Sequence, residues 1–163
     1  MKKADKCEFK SADELGLTQK EWAALIKTLA LLDNDAIVHV PEIRWERAAR
    51  KGEAVSVRPV FNMAVWHDEN ACGTVMCIGG SAEYFGKLRD DQLSEKANRM
   101  ARSGEYALYN LFYPPGLIDY DKLTTKMAAE ALRIYLTGGH ANSWDRAIDK
   151  LGVANKVAEE DSP

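Results

Sequence analysis

Trp22, Leu25, Ile26, Leu29 and Leu32 recur at the spacing of one helical face, while Lys20, Lys27 and Thr28 fall on the face left to water. Thr18, three residues ahead of Glu21, reads as a capping box, so a helix is expected to open there and to end at Asp33-Asn34-Asp35. A second clear helix follows Thr124. Its apolar stripe is Met127, Ala128, Ala131, Leu132 and Tyr135, its wet face Lys126, Glu130 and Arg133, and its stop Gly138-Gly139. A short last helix, capped by Asn142 or Ser143, carries Trp144, Ala147, Ile148 and Leu151. Residues 90–103 form a charged surface helix, with the acidic pair Asp90-Asp91 at its positive end. An apolar continuation through Tyr106, Leu108, Leu111 and Phe112 ends at Pro114-Pro115-Gly116.

Two stretches read differently. From Gly73 to Phe85 nearly every residue is small or apolar, which predicts a buried central helix stopped by a left-handed Gly86. Gly79, Gly80, Ser81 and Ala82 weaken that helix by propensity, so their use implies that neighbouring backbones come very close. Between residues 36 and 60, short apolar runs at 37–40 and 54–58 can pair as a small β-ribbon. Residues 42–50 favour a short helix ended by Gly52, with an ordered loop carrying Ile43 and Trp45 inward as the alternative.

The expected fold is therefore mainly α: one compact multi-helix domain over 13–152, with 1–12 and 153–163 as flexible termini. At 163 residues, 46% apolar and 29% charged, the chain has the composition of one globular core. The net charge of −3 is spread along the sequence, which argues against a general nucleic-acid or anionic-membrane surface. Arg44, Arg47, Arg50 and Lys51 are interrupted by Glu42, Glu46 and Glu53 and read as one solvated helix face. No signal-peptide core or membrane-length apolar run occurs, and three scattered cysteines do not form a disulfide framework. A cytoplasmic protein with free thiols is expected.

The densest constellation is Phe61-Asn62-Met63, Trp66, then Cys72-Gly73-Thr74-x-x-Cys77-Ile78-x-Gly80. With Thr137-Gly138 and Trp144 further on, it resembles a family of small helical proteins from bacteria and their phages, over roughly residues 60–150. The resemblance implies a domain of that kind and carries over no activity, cofactor or catalytic residue.

Chemistry is weighed from the residues themselves. Zinc held by Cys72 and Cys77 with His67 or His140 is disfavoured. Five residues along a helix would turn the thiols about 140° apart and separate them by about 7.5 Å along the axis. The same geometry disfavours a Cys72–Cys77 disulfide. A thiol enzyme is better founded: Cys72 as nucleophile at a helix N-terminus, His67 as its base and Asp68 orienting His67. Against it, both cysteines serve as small apolar fillers. His39 and His140 read as structural, Gly79-Gly80 lacks the pattern of a phosphate loop, and the four tryptophans read as core anchors. No cofactor is implied. The leading expectation is a non-enzymatic protein-binding or accessory domain. It contacts a protein partner or a second copy of itself near the aromatic segment Tyr106–Pro115, with the thiol enzyme as the alternative.

Overall fold

The computed structural model describes residues 8–53, 56, 58–70, 73–116 and 119–152, leaving out the side chains of residues 49, 67–70, 73 and 74. The protein is mainly helical, as the periodicities predict. Helix α1, Gln19–Asp33, opens with the expected capping box: the Glu21 amide donates to the Thr18 hydroxyl at 3.1 Å, and the Thr18 amide donates to the Glu21 carboxylate at 2.9 Å. Leu25, Leu29 and Leu32 form its buried stripe. Thr28, expected toward water, is buried with them, because its hydroxyl donates to the Ala24 carbonyl within the same helix at 2.9 Å.

Strand β1, Val38–His39, leads into α2, Glu42–Lys51, which ends at Gly52 with φ +66°. The segment is thus the helix and not the loop. Ile43 points outward at 57% exposure, while Trp45 packs on a small cluster of Val40, Val60 and Val75. β1 pairs in parallel with β2, Val60–Phe61, and residues 54, 55 and 57 of the expected partner lie outside the described residues.

The expected central helix also divides. Gly73–Met76 is strand β4, parallel to β2 and antiparallel to β3, His67–Asn70, giving the order β1-β2-β4-β3. Only Ile78–Phe85 is helix α3, with Cys77 as its N-cap. An apolar run without periodicity suits a buried strand as well as a buried helix, and β-branched Thr74 and Val75 favour the strand. Gly86 is right-handed, φ −82°, and Lys87 takes the left-handed turn instead at φ +53°. Gly86 is required for another reason: a Cβ there would lie 2.4 Å from Ala24 Cβ of α1.

The remaining helices are α4, Gln92–Arg102, α5, Ala107–Phe112, α6, Thr125–Gly138, and α7, Ser143–Leu151, with a 3-10 turn at Tyr120–Lys122 before α6. One core runs from Ala12 to Ala147, in which α1 packs on α3 and α6, and α6 on α7. Glu130, expected on the wet face of α6, is buried there because Arg133 and Lys150 both reach its carboxylate, at 3.1 and 2.6 Å. Packed chain begins ahead of the expected boundary at 13. The Lys10 amide donates to Leu136 of α6 at 2.8 Å, and its carbonyl accepts the Trp22 indole at 2.9 Å. Among the described residues no helix is long and apolar enough to cross a membrane.

Candidate functional site

The motif around residues 61–80 builds a structural hub. Phe61, Asn62 and Met63 are all buried, and the Asn62 amide group has every partner it needs. Its Nδ2 donates to the Val40 carbonyl at 3.1 Å and to Asp121 Oδ1 at 2.8 Å, and its Oδ1 accepts from the Ala64 amide at 2.9 Å. Asp121 Oδ1 also accepts the Glu42 amide at 2.7 Å, and the Asp121 carbonyl lies 2.8 Å from His39 Nε2. These bonds tie the ends of β1 and β2 to the turn before α6. His39 is thereby structural.

Trp66 uses the glycines of α3. A Cβ on Gly80 would lie 1.6 Å from the Trp66 carbonyl oxygen, and one on Gly79 would lie 2.1 Å from the Trp66 ring. The close approach expected of these glycines is therefore made by Trp66, which fills the space a phosphate loop would need to keep open. The ring stacks on Tyr113, centroids 5.8 Å apart, and meets Phe112 edge-on at 5.3 Å. Its Nε1 donates to Glu83 at 2.9 Å. The Glu83 carboxylate also accepts the Asp91 and Leu93 amides, at 3.0 and 2.8 Å, so it supplies the negative charge at the start of α4 that was expected of Asp90-Asp91. Asp91 itself makes no side-chain cap. Burial pushes the Glu83 carboxyl above its ordinary value, and these three donors hold part of that rise back.

Cys77 stands at the N-terminus of α3. Its sulfur accepts the Gly80 amide at 3.5 Å, its thiol donates to the Trp66 carbonyl at 3.8 Å, and burial pushes it up to about 12, so it stays protonated at neutral pH. Cys72 lies outside the described residues, and His67 and Asp68 are placed by their backbone alone, in β3. In the β3–β4 hairpin His67 pairs with Met76 and Asn70 pairs with Gly73, which puts His67 and Gly73 about 10 Å apart along the strand direction. His140 sits against Gly138, where an added Cβ would lie 2.3 Å from its Nε2. Among the described residues no three metal-ligating side chains converge.

Missed by the sequence reading is a cleft of about 430 Å³. It lies where residues 10–16, the α4–α5 corner and the end of α6 meet. Helix α4 closes with the Glu105 amide on the Met100 carbonyl, 2.9 Å, across Gly104 at φ +86°, and this turn brings Glu105 and Tyr106 to the rim. The facing segment closes the same way: the Leu17 amide donates to the Ala12 carbonyl at 2.9 Å across Gly16 at φ +70°, leaving Asp13 and Glu14 on the opposite rim. Tyr106 is half exposed, at 51%. Tyr135 of α6 lines the cleft from within, nearly fully buried, and its hydroxyl has no hydrogen-bond partner among the described residues. Burial, and then the nearby Glu21 carboxylate, push that hydroxyl above its ordinary range, so it stays protonated and its oxygen keeps lone pairs that can accept. The sequence offered a partial signal: Tyr106 was singled out, whereas Tyr135 disappeared into an apolar stripe. No family model, no curated protein and no solved structure matches the chain.

Proposed function

We propose that this protein is a non-catalytic protein-binding domain that uses the Tyr106 cleft as its contact surface. The observation that carries the reading is Tyr106 itself, a large ring left half exposed at the rim of a formed cleft. The buried ionisable groups support it from the other side. Glu21, Glu83 and Glu130 are each occupied by bonds that hold helices together, and Cys77 by bonds to the first turn of its own helix and to the Trp66 carbonyl. A cytoplasmic location accords with Cys77 kept as a free thiol, and a bacterial or phage source is what the resemblance of the 61–80 motif implies. The test is a photo-crosslinking amino acid at position 106, with position 43 on α2, also exposed, as control. A partner captured only at 106, which then binds the purified protein saturably and at least about tenfold more weakly after Tyr106→Glu, supports the reading. Unchanged affinity of the Tyr106→Glu protein, with its helical circular dichroism intact, overturns it.

A further inference from the structure

We infer that the Tyr106 cleft receives an arginine side chain of the partner protein; this deepens the docking reading and rests on it. Three carboxylates line the cleft, Asp13, Glu14 and Glu105, against one ammonium, Lys10. Glu14 is held by the Ser11 amide at 3.1 Å and lies within the field of Lys10, and both favour its ionised form. Asp13 and Glu105 make no side-chain ion pair or hydrogen bond among the described residues, so the charge open to a ligand is negative and uncompensated.

The second observation is independent of that charge. Tyr135 is 1% exposed and lines the cleft, and its hydroxyl makes no hydrogen bond among the described residues, so its oxygen is open to a bound polar group. A guanidinium meets the whole set. It is planar, carries five donors for the Glu105 and Asp13 carboxylates and the Tyr135 oxygen, and stacks on a tyrosine face such as Tyr106. A volume of about 430 Å³ takes one long side chain with its flanking backbone and falls toward the small end of ligand pockets.

The probe is the peptide acetyl-Gly-Gly-Arg-Gly-Gly-amide, titrated into the full-length ¹⁵N-labelled protein, beside its citrulline counterpart, which keeps the shape and loses the charge. The arginine peptide is expected to shift the amides of Gly16, Tyr106 and Gly139 saturably. Citrulline, and each of the variants Glu105→Gln, Tyr106→Ala and Tyr135→Phe, is expected to weaken binding by about three- to tenfold. Tyr135→Phe keeps the ring, so its loss of binding reads the hydroxyl and not the packing. Equal binding of the citrulline peptide at these amides overturns the arginine assignment and leaves the docking reading standing. Shifts centred on α2, or none at all, overturn the site. Binding of spermidine as tight as that of the peptide overturns a protein side chain as the ligand.

Discussion

Replacing Gly80 by alanine sets two effects of opposite sign against each other. Helix propensity alone favours alanine by about 1 kcal/mol in a helix interior. The new methyl group, however, would start 1.6 Å from the Trp66 carbonyl oxygen and 2.7 Å from the Trp66 carbonyl carbon, and these are backbone atoms without a rotamer to change. Restoring ordinary contact requires Trp66 to retreat by roughly 1.5 Å or more. Trp66 is held at four points: the 2.9 Å bond to buried Glu83, the stack on Tyr113, the edge-on contact with Phe112 and the contact of its carbonyl with the Cys77 thiol. Overpacking costs about 1–3 kcal/mol, and a lost hydrogen bond to a charged group about 1.5–3. After the propensity gain, a net destabilisation of about 2–4 kcal/mol is expected. Urea unfolding followed by circular dichroism and by tryptophan fluorescence measures it. Gly79→Ala, whose methyl meets only the outer ring atoms of Trp66, is expected to cost less. A Gly80→Ala protein more stable than wild type would show that propensity decides, and that Trp66 does not lie on α3.

Other outcomes follow from the buried charges and the thiol. Glu83→Ala leaves the Trp66 indole and the Asp91 and Leu93 amides without their acceptor, and is expected to cost about 2–4 kcal/mol, with a change in tryptophan emission in the folded state. Burial disfavours the Glu21 charge, but Lys96 at 2.5 Å, Gln92 and the Thr18 amide outweigh it and hold the carboxyl below its ordinary value. Its contribution is therefore present above the unfolded value of about 4.3 and lost as pH falls through the lower folded value, so Lys96→Met is expected to flatten the acid limb of stability below about pH 4.3. An acid limb as steep in Lys96→Met as in wild type would contradict this. Native alkylation at neutral pH is expected to spare Cys77, which reacts only on unfolding. Labelling of Cys72 in the same experiment, slowed by His67→Ala, would instead bring forward the thiol enzyme.

Where local chemistry and tertiary packing agreed, the fold was legible. The capping box at Thr18, the stripe of α6 and the breaks at Gly52 and Gly139 appear where their residues put them. The parallel sheet was not legible, because β1 and β2 are each two residues long and their partners lie far along the chain, below the length at which alternation can be read. The run from Gly73 to Phe85 misled for a related reason: burial on every side erases the periodicity that separates strand from helix. Glu130 was misassigned because a sequence pattern shows the cost of burying a carboxylate and not the donor 20 residues away, Lys150, that helps to offset it. The cleft escaped for the same cause, since its walls come from three separate segments and Tyr135 reads as an ordinary apolar stripe residue until its hydroxyl is placed.

Hydrogen exchange of the protein alone and with the partner captured at position 106 tests the central claim most directly. Slowed exchange is expected at the backbone amides of residues 13–17, 104–108 and 138–141, the three segments that wall the cleft, with α2 unchanged. Protection confined to α2 or to the β3–β4 hairpin, with the cleft segments exchanging as in the free protein, would contradict it.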